Sequence, residues 1–192
     1  MFTVEETYLP MTLTAPDITD AEFDAFCEQF PDCRLESTAD GDVIVMPPTD
    51  PETGVRNQEI GTQLNTWSGG VDGVVPDSSA GFRLPNGARR SPDASWISFP
   101  RLDRLRCPEF VIELLSPTDR PRTVRAKMQE WIENGAELGW MIDPKAQSVT
   151  IFRSGQEPEV RTGIEEIAGE GPLAGFVLDL RRIWNPRRRR GA

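Results

Sequence analysis

Phe110-Val111-Ile112-Glu113-Leu114-Leu115, followed at once by Ser116-Pro117, is the stretch on which the reading of this chain turns. A short apolar run bounded by Pro108 and Pro117 reads as a strand buried on both faces. An ionised carboxylate in the middle of such a strand is costly unless a cation or several donors receive it. Glu113 therefore asks for a partner, and the rest of the chain is read for what could supply one.

Downstream, Arg122 to Gly135 has helical spacing, with Val124, Met128, Trp131 and Ile132 apolar and Gly135 as its stop. Leu138 to Asp143 and Ser148 to Arg153 read as paired strands, and a short apolar segment, Phe176 to Leu180, precedes an arginine tail. Upstream, Ser78 to Leu84 and Ala88 to Ser98 flank Pro85-Asn86-Gly87, and Asn-Gly is the turn dipeptide of tight hairpins. Within the second arm, Ser91-Pro92-Asp93 suggests an edge or a strand entrance, and Asp93, Ser95 and Ile97 share a face. Arg56 to Ser68 predicts an amphipathic helix with Ile60, Leu64 and Trp67 inward and Glu59 and Gln63 on the flank. Pro47 to Gly54 before it reads as a loop. Cys33 to Met46 reads as a hairpin turning at Ala39-Asp40-Gly41, and the helix ahead of it is capped at Thr19 or Asp20. Helices interspersed with strands indicate a mixed sheet with helices packed on it.

Composition narrows the chemistry. The chain has 192 residues, 38% hydrophobic and 27% charged, which suits one folded domain. No apolar run approaches the ~20 residues needed to span a bilayer. Residues 1–10 lack a basic-then-apolar signal pattern, so a cytoplasmic location is the expectation. The sequence has no histidine, which removes Ser-His triads and histidine metal ligands together. Cys27, Cys33 and Cys107 form no zinc spacing and no disulfide framework. Any metal must be held by oxygen, which favours magnesium, manganese or calcium. A net charge of -10 opposes broad non-specific affinity for phosphates but leaves room for a local basic surface. Arginine gathers at Arg89-Arg90, Arg101 to Arg106, Arg120 to Arg125 and Arg187 to Arg190.

Asp93, Glu113, Glu59 and Lys127 stand out by residue type and context. Two carboxylates on neighbouring strands can hold one hard cation, completed by water and substrate phosphate. A lysine beside them stabilises a developing anion. Lys127 is one of only two lysines and borders the apolar face of its helix. Each residue also has a plain structural reading. Asp93 can cap a turn after Pro92, Glu113 can pair with an arginine, Glu59 can be an exposed helix residue, and Lys127 can snorkel to solvent.

The segments 52–60, 77–87, 90–96, 110–119, 127–132 and 139–144 together resemble the Uma-type family of restriction endonucleases, within the PD-(D/E)xK nuclease superfamily. The resemblance implies an α/β (α+β) fold, a restriction-endonuclease-like core in which a mixed β-sheet is flanked by α-helices. It implies an N-terminal extension over 1–18, a nuclease domain over 19–185 and a basic tail over 186–192. It also implies DNA phosphodiester cleavage by a metal-activated water, with Mg2+ or Mn2+ as cofactor and a homodimer acting on two strands. By the same resemblance Asp93 and Glu113 are metal ligands, Leu114 lends its backbone carbonyl, and Glu59 completes or extends the shell. The lysine of the (D/E)xK pattern falls on Leu115, so Lys127 of the following helix is the candidate for that role. Two alternatives remain at this point: a nuclease-fold binding or regulatory module that does not cut, and an acidic homo-oligomeric interaction protein.

Overall fold

Apolar strands on both sides of Glu113 assemble into one mixed sheet. The computed structural model describes residues 10–14, 18–103 and 107–187. Most of the expected 1–18 extension and of the 186–192 tail lies outside these residues. The elements run β1 (Met11–Leu13), α1 (Asp20–Gln29), β2 (Arg34–Ser37), β3 (Val43–Met46), α2 (Pro51–Ser68), β4 (Gly73–Val74), β5 (Phe82–Arg83), β6 (Arg89–Arg90) and β7 (Ala94–Ser98). After these come α3 (Phe99–Leu102), β8 (Phe110–Leu114), α4 (Pro121–Glu133), β9 (Leu138–Asp143), β10 (Ser148–Arg153), β11 (Glu159–Thr162), β12 (Glu166–Ala168), β13 (Val177–Asp179) and α5 (Arg181–Trp184).

The main sheet has six strands in the order β11-β10-β9-β8-β7-β4. Only β8 and β9 run parallel, and a parallel pair needs a crossover, which α4 supplies. All five residues of β8 are buried. Phe110, Ile112 and Leu114 pack on the α2 side with Ile60 and Leu64, whereas Val111 and Leu115 pack on the α4 side with Met128 and Trp131. Side chains alternate along a strand, so Glu113 belongs to the α4 side. Helix α4 lies close because β9 offers a glycine there: a Cβ on Gly139 would fall 2.3 Å from the Met128 methyl.

The long hairpin expected over 78–98 is split between two sheets. Its tip pairs β5 with β6 in a five-stranded sheet of order β1-β3-β2-β6-β5, whereas β7 joins β8 in the main sheet. The break falls at Ser91-Pro92-Asp93, where proline has no N–H to continue a ladder. Residues 91–93 thus form the hinge between the sheets, and Asp93 stands at the start of β7.

Helix α2 starts at Pro51, five residues before the expected Arg56. Asp50 caps it, accepting from the N–H groups of Glu52 (3.0 Å) and Thr53 (3.1 Å), and proline at the first position needs no N–H partner. Reading Pro47 to Gly54 as a loop missed this cap. Asp50→Ala is expected to cost about 1 kcal/mol of stability in a urea melt, the usual worth of an N-cap. An unchanged midpoint would show that α2 is held by packing alone.

Candidate active site

Four segments converge on Glu113: β8 itself, the 91–93 hinge, α4 and β2. From α4 come two donors one helical turn apart. Trp131 Nε1 donates to Glu113 Oε1 at 2.9 Å, and Lys127 Nζ donates to Glu113 Oε2 at 3.0 Å. The same ammonium donates to Glu36 Oε1 at 2.8 Å and to the Ser91 carbonyl at 3.1 Å. All three ammonium hydrogens thus have acceptors, so Lys127 is aimed rather than mobile.

Asp93 is fixed by the neighbouring strand. Its Oδ2 accepts from Leu114 N at 2.8 Å, which sets this carboxylate beside Glu113. Its Oδ1 accepts from Arg34 Nη1 at 3.1 Å, with the Asn57 amide 3.5 Å away. Arg34 also donates to the Ser91 carbonyl and approaches Glu36 Oε1 at 3.6 Å. Glu36 is 2% exposed and further accepts from Ser91 N (3.2 Å) and Arg90 Nη1 (3.3 Å). The acids Glu36, Asp93 and Glu113 are thereby balanced by Arg34, Arg90 and Lys127.

The electrostatics differ from one acid to the next. Burial, reinforced by the negative charges of Asp93 and Glu36, pushes the Glu113 carboxyl up to about 7 despite Lys127. Burial also acts to raise Glu36, but Lys127, Arg34 and Arg90 outweigh it and hold Glu36 below the ordinary carboxylate range. Burial disfavours the charge on Lys127, yet Glu113 and Glu36 together raise its pKa, so it stays an ammonium. The acid expected to find a lysine does find one. Leu115, on the same face as Glu113, packs with Met128 and Trp131, and Lys127 reaches the carboxylate from the helix above.

Glu59 corrects the expected constellation. Residues along a helix advance by about 100° each, so Asn57 at Asp93 places Glu59 about 200° round α2. Glu59 instead pairs with Arg182 of α5 at 3.0 Å and accepts from Gln63 at 3.3 Å. Asp143 accepts from the N–H groups of Lys145 and Ala146, and Ser116 N donates to Asp119, so both belong to turns. Glu36 and Arg34 were not anticipated. Their signal was an opposite-charge pair two apart on one strand, which alternation puts on the same face.

The carboxylates can be tested against the hard cation that the resemblance implies. Among the described residues no three acidic, histidine or cysteine groups gather into a cage. A magnesium-type ion needs only one or two carboxylates, the remaining positions going to water and substrate phosphate. Asp93 and Glu113 are hard donors on adjacent strands, and each keeps lone pairs beyond its hydrogen bonds. Asp93 also lines an open groove of ≈ 530 Å³ bordered by Asn57, Gly61 and Asn65 of α2 and by Val75 to Ser78. The donor set fits such a cation, with Leu114 adjoining it.

Residues 20–181 match the Uma2 family, described as "putative restriction endonuclease". A solved structure similar to this chain is that of "a putative nuclease belonging to DUF820" from Anabaena variabilis. The two share 21% identity with a TM-score of 0.70, over 78% of this chain and 89% of that one. At that identity the likeness is one of fold. No curated protein matches the chain.

Proposed function

This chain belongs to the Uma2 family, and from that premise we propose that it is a divalent-cation-dependent endonuclease acting on DNA. The observation that carries the reading is the convergence of Asp93, Glu113 and Lys127, with Asp93 lining the open groove. When bound, a magnesium-type ion neutralises phosphoryl oxygens and acidifies water. Asp93 and Glu113 are the side chains that would hold it, with the Leu114 carbonyl as an adjoining donor. Lys127, locked by Glu36 and the Ser91 carbonyl, presents its positive charge to the anion that develops at phosphorus. Trp131 fixes the Glu113 carboxylate from behind. Glu59 ties α2 to α5 through Arg182 and so helps to hold the helix that borders the groove. Two copies of the chain would serve the two strands of a duplex.

The decisive assay incubates supercoiled plasmid and single-stranded circles with the protein and Mg2+ or Mn2+, with chelator as control. Nicked or linear product that requires the cation is expected. Intact DNA under every condition would sink the reading. A second reading is a nuclease-fold module that binds without cutting; what favours it is the Arg34 guanidinium resting on Asp93 Oδ1.

Glu113 predicts a pH dependence. Cation binding needs its carboxylate, and burial holds its pKa at about 7. Below that value binding must displace a proton, so affinity should rise with pH by up to about tenfold per unit and level off above about 8. Stability in the absence of cation runs the other way. A carboxyl raised in the folded state contributes stability below its unfolded pKa near 4.5, and that contribution is lost as pH rises through 7. Glu36 is lowered and Lys127 raised, so neither titrates within that window. Calorimetry in buffers of different ionisation enthalpy measures the proton released. A pH-independent affinity with no proton release would remove Glu113 from the ligand set.

A further inference from the structure

The chain is acidic, and ten of the fourteen arginines the structure describes are paired with a carboxylate. Arg34, Arg56, Arg83, Arg89, Arg90, Arg101, Arg153, Arg161, Arg181 and Arg182 each form an ion pair. Arg187, past α5, forms none among the described residues; nor do Arg120, Arg122 and Arg125, and these three are exposed. Arg120 immediately precedes α4 and the other two lie on it, the helix that also delivers Lys127. Arg125 keeps an aromatic support, its guanidinium 5.7 Å from the centre of the Phe152 ring. Because β8 and β9 are parallel, the segment after β8 and the turn after β9 emerge at the same end of the sheet. Lys145, also without an ion pair, stands in that turn. The acids nearby are Asp119 and Asp143, whose side chains accept from backbone N–H groups of their own turns.

Long guanidinium side chains held in water without carboxylates are suited to a polyanion. We infer that Arg120, Arg122 and Arg125 form a phosphate-gripping surface that holds the nucleic-acid backbone beside the cleavage site. This rests on the nuclease reading for its substrate and adds to it a place where an acidic protein can hold that substrate. Arg122 precedes Lys127 by five residues, about 7.5 Å along the axis and about 140° round it, so the arginines take the outer face of α4 while Lys127 faces the site. The contact is to backbone, so it is indifferent to sequence.

The test measures binding of short labelled DNA duplexes, single strands and RNA duplexes to the full chain in chelator, as a function of salt. Each phosphate contact contributes about 0.9 to the slope of log K against log salt on duplex DNA. The combined Arg120→Gln, Arg122→Gln, Arg125→Gln variant should flatten that slope by about 2–3. Because Arg125 touches Phe152, the Arg120→Gln, Arg122→Gln variant is measured as well and should flatten it by nearly 2. The comparison variant Arg83→Gln, Arg161→Gln, Arg181→Gln loses the same charge from exposed arginines that already have partners, and it should keep most of the slope. Equal flattening in both sets would reduce the effect to net charge and overturn the inference. So would a parent that binds no nucleic acid, or one that binds phosphatidylglycerol vesicles in preference. A parent that cuts DNA with an unaltered slope in the arginine variants would defeat this surface and leave the nuclease reading standing. Flattening without cleavage by the parent would do the reverse.

Discussion

Asp93→Asn and Glu113→Gln should each lower cation-dependent cleavage by about 10³-fold or more, while the protein remains folded. A bound cation supplies several kcal/mol of charge stabilisation at the reacting phosphate, and each 1.4 kcal/mol is tenfold in rate. Both substitutions keep the shape of the side chain and remove the charge that holds the ion. Glu113→Gln should be mild for stability. Burial already pushes this carboxyl up to about 7, so a neutral side chain is close to its state at neutral pH. The Trp131 N–H would find the new amide oxygen as it finds Oε1 now, and Lys127, losing Oε2 as an acceptor, would keep Glu36 and the Ser91 carbonyl. Asp93→Asn keeps an acceptor for Leu114 N but leaves Arg34 with only the more distant Glu36 as its ion-pair partner, so a modest loss is expected there. Cleavage rates, cation affinity by calorimetry and a thermal melt are read on the same preparations. Parental rates in either variant would strike that residue from the site.

Lys127→Met should produce the largest loss of stability, about 3–5 kcal/mol. Removing one partner of a buried ion pair leaves the other charges uncompensated. Lys127 serves two acids at once, Glu113 and Glu36, which are 5% and 2% exposed. The deficit should shrink as pH falls below about 7, where Glu113 takes up a proton. Pairing Lys127→Met with Glu36→Gln should recover part of it, because the two share one contact. Urea unfolding across pH 5 to about 8 checks both statements. Cleavage should fall as well, by about 10²–10³-fold, the usual effect of losing one preorganised positive donor. Cation binding should persist or tighten, since a positive charge beside Glu113 has gone. Stability and rate both equal to the parent would show that the lysine absent from position 115 has no substitute in α4.

Much of the fold was legible because its signals are local. The apolar run around Glu113, the Asn86-Gly87 turn and the stripe of Met128, Trp131 and Ile132 each identify an element from a few neighbouring residues. Gly135, at φ +114, ends α4 where its sequence position says a helix should stop. Short pieces were less legible. Asp50 and Pro51 open α2 with residues that serve loops equally well, and β11 and β12 are brief strands in a polar stretch.

The composition of the chain by itself ruled out histidine chemistry and cysteine metal sites, and a carboxylate inside a buried strand called for a positive partner. Helix phase was enough to nominate Lys127, because position on a helix is set by 3.6 residues per turn. Tertiary structure alone decided the rest. Whether Asp93 would meet Glu113 depended on Pro92 breaking one ladder and β7 entering another beside β8. Whether Glu59 would join them depended on which face of α2 met Asp93, and that face carries Asn57. Glu36 and Arg34 lie far from Glu113 in sequence and reach the site only because the smaller sheet folds back against α4. Pairings between distant strands follow from the packing of whole layers, to which no short stretch of chain testifies.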